Sequence, residues 1–174
     1  TGCHNRRSFE MRLEHDLQLA MRMGQQLSVV MLDLDYFKDI NDQAGHEAGD
    51  GALCMLAEIL QSDLRIVDTA ARLGGDEFVI LLCQASTEGA LLVAERLRKR
   101  LEEVKVPGFG RVTASFGVAT FPDHGSSRDS LIGAADSALY SSKKAGRNRV
   151  SVVNPFVLAE GKPSAELADA LQRL

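Results

Sequence analysis

Near the middle of the chain runs the stretch Arg72-Leu73-Gly74-Gly75-Asp76-Glu77-Phe78-Val79-Ile80-Leu81-Leu82. Two apolar runs flank the glycine pair, and glycine adopts the positive φ of a tight turn at little steric cost, so this stretch predicts a β-hairpin. Two acids, Asp76 and Glu77, follow the glycines at once. Because glycine has no side chain, nothing at this turn obstructs a ligand that approaches the carboxylates. The turn therefore has the character of a metal or phosphate site.

Hydrophobic spacing outside the hairpin predicts a split βαβ pattern, in which a strand and a helix precede the hairpin and a helix and a strand follow it. The predicted fold class is α+β, a ferredoxin-like (βαββαβ) antiparallel sheet with flanking helices, which we expect on one face. The polar connection 36–50 joins the first of these strands to a helix that starts near Asp50, and functional residues concentrate in such connections. The other predicted helices cover 8–23, 87–104 and 127–145, and the predicted strands cover 27–35, 66–73, 78–83, 112–119 and 149–153.

The composition is that of an ordinary globular domain of 174 residues, with 45% hydrophobic and 25% charged residues. A net charge of −4 provides no long-range attraction to nucleic acid or to an anionic membrane. The sequence has no uninterrupted apolar run of about 18 residues, and its three cysteines form neither a metal-binding spacing nor an even disulfide set. We expect a cytoplasmic domain. Because the chain lacks an initiator Met, we also expect a missing upstream sensory or regulatory part, which leaves membrane anchoring of the full-length protein open.

A third acid, Asp33, ends the apolar run that forms the first of these strands. In a split βαβ sheet this strand lies beside the hairpin, so Asp33 is expected to approach Asp76 and Glu77. Two carboxylates ~4 Å apart repel by about 4 kcal/mol at an effective dielectric constant of 20, and a divalent cation removes that cost. Ligands that are all oxygen favour Mg²⁺ or Mn²⁺ over Zn²⁺. For Asp33 alone, a solvating charge at a strand end is the alternative.

Three motifs together resemble the GGDEF family, the diguanylate cyclases, which join two GTP molecules into cyclic di-GMP. They are Thr1-Gly2-Cys3-His4-Asn5-Arg6-Arg7, the Gly74-Gly75-Asp76-Glu77-Phe78 turn, and Gly146-Arg147-Asn148-Arg149-Val150. The resemblance covers about the first 150 residues, so we assign a GGDEF domain to 1–153 and a tail, with an amphipathic stretch that allows a short helix, to 154–174. It implies a core similar to the palm of polymerases and to nucleotide cyclases.

The resemblance also implies the site residues and two Mg²⁺ or Mn²⁺ ions in each active site. The implied metal ligands are Asp33, the carbonyl of Leu34 and Asp76, with Glu77 beside them. Lys143 and Arg147 are spaced i, i+4, and we expect both on one face of the last helix as a phosphate clamp. Further implied nucleotide contacts are the backbone amides of Tyr36 and Phe37 for phosphate, Arg72 with Gly74 and Gly75 at the turn, and Asn41 with Asp50 for guanine.

The implied reaction is attack of a 3′-hydroxyl on the α-phosphate of a second GTP, with Asp76 taking the proton directly or through a water. The product joins two nucleotides reciprocally, which requires a two-fold pair of domains. Arg65, Asp68 and Arg96 occupy positions of the family's inhibitory product site, although an Arg and an Asp three residues apart are also commonly a plain surface salt bridge. Two other functions stay open: a catalytically silent module that binds GTP or cyclic di-GMP, and an interaction domain with no ligand.

Overall fold

The computed structural model describes residues 2–153 of the chain. The predicted tail at 154–174 lies outside the described residues. The helices are α1 (Arg6–Met23), α2 (Phe37–Ala44), α3 (His46–Asp63), α4 (Thr87–Glu102) and α5 (Arg128–Lys144). The strands are β1 (His4–Asn5), β2 (Leu27–Leu34), β3 (Thr69–Gly74), β4 (Glu77–Cys83), β5 (Lys105–Val106), β6 (Gly110–Arg111), β7 (Ala114–Phe121) and β8 (Val150–Val152).

Six strands form one sheet in the order β1-β3-β4-β2-β7-β8. The four inner strands are antiparallel neighbours, which confirms the predicted ferredoxin-like core and the β3–β4 hairpin. The two outer strands pair in parallel, β1 with β3 and β8 with β7, so the whole sheet is mixed rather than purely antiparallel. Strands β5 and β6 form a separate small hairpin that the sequence patterns did not predict.

Helices cover both faces of the sheet, so the expectation of helices on one face was wrong. Every residue of β2 is buried, as a strand covered on two sides requires. On one face, Val30 and Leu32 pack in a cluster with residues of α3 and α4. On the other face, Val29 and Met31 pack with residues of α1 and α5. The central strand thus ends between two packed layers, where its last side chains are held firmly.

Helix α5 approaches the sheet very closely at Gly117 of β7. A Cβ atom at Gly117 would lie 2.1 Å from the backbone nitrogen of Leu139 and 2.2 Å from the carbonyl oxygen of Ala135. No real Cβ tolerates such distances, so only glycine allows this contact between helix and strand. The close approach brings the last turn of α5, which carries Lys143, over the end of β2.

Helix α1 begins two residues earlier than the sequence predicted. Asn5, rather than Ser8, is its N-cap, because the Asn5 side-chain oxygen accepts a 2.9 Å hydrogen bond from the backbone N–H of Ser8. Within residues 2–153, no helix combines the length and the apolar character needed to cross a bilayer.

Candidate functional site

The hairpin turn consists of Gly75 and Asp76, because Gly74 pairs with Glu77 across it. Gly75 adopts a φ of 52°, the left-handed conformation expected from the sequence. Arg72 closes the turn by donating a 2.9 Å hydrogen bond from Nε to the carbonyl oxygen of Gly75. The predicted phosphate role of Arg72 stays a prediction, and its observed contact is structural.

Asp33 lies at the same end of the sheet as the hairpin turn. It pairs directly with Glu77 between β2 and β4, and opposite residues of an antiparallel pair project from the same face. Asp33 is only 7% exposed, and burial, together with the nearby carboxylate of Asp76, raises its pKa to about 6. The structure therefore brings Asp33 to the acidic turn, as the strand order predicted.

Lys143 contacts this buried acid directly. Its Nζ lies 2.7 Å from Oδ2 of Asp33, which lowers the pKa of Asp33 and offsets part of the effect of burial. Asp33 thus already holds one cationic group, supplied by the last turn of α5. A buried carboxylate whose pKa stays raised despite this partner has electrostatic capacity for further positive charge.

The donors at this turn fit a hard divalent cation, although they do not form a complete cage. In the part of the chain that the structure describes, no three His, Cys, Asp or Glu side chains lie close enough together to hold a metal ion. Glu77, the cross-strand partner of Asp33, is exposed, and its predicted place in a metal group with Asp33 and Asp76 stays a prediction. Mg²⁺ usually binds through one or two carboxylates plus substrate phosphates. Asp33 and Asp76, with the neighbouring Leu34 carbonyl, match that pattern of oxygen donors.

The pH dependence of unfolding gives a direct test of the buried acid. Between about pH 4 and 6 the folded domain holds a proton on Asp33 that the unfolded chain releases, so the free energy of unfolding falls as pH rises through this window. Asp33→Asn removes this cost. We expect the variant to be more stable than the original chain above pH 6 by on the order of 2 kcal/mol, and equally stable near pH 4.

Urea unfolding at pH 4, 6 and 8 in a chelating buffer without divalent cations measures this difference. Asp129→Asn is the matched control, because the Asp129 side chain is 82% exposed. Equal stability of Asp33→Asn and the original chain at pH 8 would contradict the inference that the buried, charged carboxylate of Asp33 destabilises the folded domain.

Tyr36 and Arg147 meet beside the end of β2. Tyr36 is the N-cap of α2 with a φ of 58°, and the guanidinium carbon of Arg147 lies 4.8 Å from the centre of its ring. Arg147 does not belong to α5, so the expectation that it shares a helix face with Lys143 was wrong. The helix ends at Lys144 because Gly146 adopts a φ of 111°, and the backbone N–H of Arg147 turns back to the carbonyl of Ser142 at 3.0 Å. Lys143 is therefore placed by α5, whereas Arg147 is placed by the loop that follows this helix.

The predicted guanine contacts, Asn41 and Asp50, lie on the neighbouring helices α2 and α3. Gly49 of α3 leaves room for the Asn41 side chain, since a Cβ there would lie 2.0 Å from Oδ1 of Asn41 and 3.3 Å from the ring of Phe37. The half-buried Asn41 side chain therefore rests against the residue that precedes Asp50. Asp50 itself is exposed and available to a ligand.

If Asn41 reads guanine as predicted, Gly49→Ala is expected to displace its side chain and to raise the KM for GTP about fivefold, since a lost hydrogen bond costs roughly 1 kcal/mol. Gly51→Ala is the matched control two residues along α3, because its Cβ would meet nothing within 4 Å. The control should keep its KM and gain about 0.5–1 kcal/mol of stability from better helix propensity. Steady-state kinetics of both variants measure the effect, and equal KM values for the two would contradict this placement of Asn41.

Two of the predicted inhibitory residues, Arg65 and Asp68, lie at the end of the hairpin opposite the acidic turn. Arg65 holds Asp68 through two hydrogen bonds, Nε to Oδ2 at 3.0 Å and Nη2 to Oδ1 at 3.1 Å, and also donates to the carbonyl of Cys83 at 3.0 Å. The Asp68 side chain is 2% exposed, whereas that of Arg65 is 59% exposed. Cys83 is six residues from Glu77 along β4, so this cluster is roughly 20 Å from the acidic turn.

Arg96 belongs to a different pair of contacts. Its guanidinium donates to the carbonyl of Asp63 at 2.9 Å and lies 3.7 Å from the Asp63 carboxylate, which Arg100 also binds. Arg65 and Arg96 therefore have separate intramolecular partners, and their predicted joint role in binding product stays a prediction.

Asp35 is the site residue that sequence reasoning missed. It is 2% exposed and accepts hydrogen bonds from the hydroxyls of Thr113 and Ser115, both at 2.7 Å, and from the backbone N–H of Asn148 at 3.0 Å. An acid directly after a buried strand and two residues from Asp33 was the available signal. Its partners, about 80 and 113 residues away, follow no local pattern.

Comparison with known families agrees with this geometry. The model of the family described as "Diguanylate cyclase, GGDEF domain" matches residues 1–149. Among curated proteins, Diguanylate cyclase A of Treponema denticola is 46% identical over 129 residues, which is 72% of this chain and 35% of that protein. The chain thus spans about a third of the length of this relative.

Solved structures show the same fold. The GGDEF domain of YfiN from Pseudomonas aeruginosa superposes with a TM-score of 0.84 at 34% identity, and the match covers 88% of this chain and 98% of that domain. The GGDEF domain of DgcB from Caulobacter crescentus, solved in complex with c-di-GMP, has a TM-score of 0.83 at 30% identity and covers 88% of this chain and 90% of that one.

Proposed function

The chain belongs to the GGDEF family, and from that premise we propose that it is a diguanylate cyclase, which condenses two GTP into cyclic di-GMP and releases two pyrophosphates. The observation that carries the proposal is the meeting of the buried Asp33 with the acidic turn at Asp76, with Lys143 beside them. A buried carboxylate with a second acid beside it is costly in a purely structural site and suits one that receives a cation with a nucleotide.

Guanine selectivity is assigned to Asn41 and Asp50. A guanine presents its N1–H and N2–H₂ groups together, and a carboxylate accepts from both, while the Asn41 amide serves another edge of the base. Adenine offers Asp50 no such donor pair, which leaves the carboxylate unsatisfied at a cost of ~1–3 kcal/mol. The site therefore prefers GTP over ATP.

The triphosphate is held by backbone and side-chain donors around Tyr36. The amides of Tyr36 and Phe37 stand at the start of α2, where N–H groups and the helix dipole favour an anion. Lys143 and Arg147 supply the positive charge, the former from beside Asp33 and the latter from over the Tyr36 ring. These groups bind and orient the α-phosphate for attack.

Asp33, Asp76 and the Leu34 carbonyl would hold Mg²⁺ or Mn²⁺, with Glu77 beside them and the phosphates completing the coordination. When bound, such ions neutralise charge on the phosphates and lower the pKa of the attacking hydroxyl. The proton transfer is carried by a side chain of the protein. Asp76 accepts the proton of the 3′-hydroxyl directly or through a water, a bond forms between that oxygen and the α-phosphorus, and the bond from phosphorus to the pyrophosphate oxygen breaks.

Each domain reads one guanine, whereas the product contains two. The catalytic unit is therefore a two-fold pair of domains whose sites face each other, so that each nucleotide supplies the 3′-hydroxyl that attacks the other. Product that binds at Arg65, Asp68 and Arg96 cannot block the acidic turn of the same domain, because Arg65 lies roughly 20 Å away along β4. Feedback inhibition must then act by holding the two domains apart.

Product analysis tests the proposal. The domain is incubated at several concentrations with GTP and Mg²⁺, with ATP as the control substrate, and products are identified by chromatography and mass spectrometry. We expect one cyclic di-GMP for every two pyrophosphates, a specific activity that rises with domain concentration, and no product from ATP. Nucleotide binding without any turnover, even at high domain concentration, would contradict the enzyme and indicate the silent module.

A further inference from the structure

The loop that carries Arg147 has an unusual backbone. Arg147 and Asn148 follow Gly146 with φ values of 62° and 45°, so three consecutive residues are in the left-handed region. This conformation is unfavourable for residues that have a Cβ, and it persists only where surrounding contacts impose it. Two sets of contacts hold this loop, one from the sheet and one from helix α4.

Asp35 holds this loop from the sheet side. The Oδ2 atom of Asp35 accepts the backbone N–H of Asn148 at 3.0 Å, while the hydroxyls of Thr113 and Ser115 fix the same carboxylate. Asp35 is also the residue before Tyr36, so a single buried side chain joins the loop to the start of α2.

Helix α4 holds the loop from the other side, through the side chain of Asn148. The Oδ1 atom of Asn148 accepts a 2.7 Å hydrogen bond from Arg98, and its Nδ2 donates to Glu102 at 3.0 Å. Arg98 is in turn fixed by Glu95 and Glu102, and its side chain is only 13% exposed. Asn148 is therefore clamped at its backbone and at both ends of its amide.

We propose that Asp35 and Asn148 are positioning residues that fix Arg147 over Tyr36, in the place where it meets the triphosphate. The effect on GTP binding rests on the proposed function. The position of Arg147 depends only on contacts within the chain. Asp35 is buried, and the backbone N–H and side-chain amide of Asn148 are bonded within the chain, so both residues act through Arg147. Loss of either clamp should let the loop relax, move Arg147 away from the Tyr36 ring and weaken GTP binding.

The position of Arg147 is measurable without nucleotide. An arginine packed on an aromatic ring has side-chain protons shifted upfield by the ring current, so the Arg147 δ-protons report the contact in an NMR spectrum. Arg147→Lys assigns the signal, and Tyr36→Leu gives its position when the ring is absent. We expect Asp35→Ala and Asn148→Gly each to move the signal to the Tyr36→Leu position and to raise the KM for GTP about tenfold, with a smaller change in kcat.

Two further variants separate positioning from general stability. Thr113→Val removes one hydrogen bond to Asp35 but leaves the bond to Asn148, so it should lower the melting temperature and leave the Arg147 signal in place. Asp35→Asn should rescue the signal, because its amide oxygen can accept from Asn148 while its NH₂ donates to the Ser115 hydroxyl. If Asp35→Ala does not fold, Asn148→Gly tests the same position, since glycine accepts the left-handed φ.

The proposal is overturned if the Arg147 signal keeps its original upfield position in both Asp35→Ala and Asn148→Gly. If only Asn148→Gly folds, an upfield signal in that variant alone overturns it. Because this readout needs no substrate, it remains interpretable even if the domain does not turn over GTP. If the original chain does not turn over GTP but Arg147 is displaced in the variants, the proposed function alone is overturned. If the original chain turns over GTP but Arg147 is not displaced in the variants, the positioning role alone is overturned.

Discussion

Asp76→Asn is expected to lower the rate of cyclic di-GMP formation by roughly 10³-fold or more, the scale of losing charge stabilisation at the reacting centre. The substitution keeps the size of the side chain and removes one negative charge from the pair that faces the cation. Asparagine also cannot accept the proton of the 3′-hydroxyl. Pyrophosphate release under saturating GTP and Mg²⁺ measures the effect.

The fold should survive this change, because the turn is held by contacts that do not involve the Asp76 side chain. Gly74 pairs with Glu77 across the turn, and Arg72 bonds to the carbonyl of Gly75. Asp129→Asn, an exposed acid at the first turn of α5, is the matched control and should keep its activity. If Asp76→Asn keeps more than a tenth of the original rate, the assignment of that acid to catalysis is incorrect.

Arg65→Ala is expected to weaken binding of cyclic di-GMP about 100-fold, which corresponds to the loss of a two-pronged contact to guanine O6 and N7 or to phosphate. The exposed guanidinium of Arg65 is the group available for that contact. The variant should therefore continue to turn over GTP at product concentrations that stop the original chain. Isothermal titration with cyclic di-GMP and progress curves with added product measure the two effects.

The buried Asp68 should remain satisfied in this variant. Its carboxylate also accepts the backbone N–H groups of Cys83 at 3.1 Å and of residue 65 at 3.2 Å, neither of which depends on the arginine side chain. Arg111→Ala, which removes an exposed arginine of β6, controls for the loss of one positive charge. Unaltered affinity of Arg65→Ala for cyclic di-GMP would identify Arg65 as a plain surface ion pair.

The parts of the fold that depend on local sequence could be predicted. The glycine pair between two apolar runs is sufficient to place the β3–β4 hairpin, and the run that ends at Asp33 is sufficient to place β2 beside it. The approach of Asp33 to Asp76 then follows from strand order alone. Periodicity could not reveal β1, whose two residues are too few to show a pattern and pair with a strand far along the chain.

The parts that depend on distant contacts could not be predicted. The i, i+4 spacing of Lys143 and Arg147 suggested one helix face, but the helix ends between them, and the Arg147 guanidinium lies over the Tyr36 ring instead. No local pattern distinguishes Asp35 from the other acids of the sequence, because its partners Thr113 and Asn148 come close to it only in the folded chain. The expectation of helices on one face failed for a similar reason, since α1 and α5 pack together on the face opposite α3 and α4.

The central claim is that Asp33 and Asp76 together hold the cation that carries a guanine nucleotide. Crystals of the domain grown with Mn²⁺ and the slowly reacting analogue guanosine 5′-(α-thio)triphosphate test it directly through anomalous scattering by manganese. The account predicts an anomalous peak within coordination distance of carboxylate oxygens of both Asp33 and Asp76, next to the bound phosphates. A nucleotide bound with manganese elsewhere, or with Asp33 still paired only to Lys143, would contradict it.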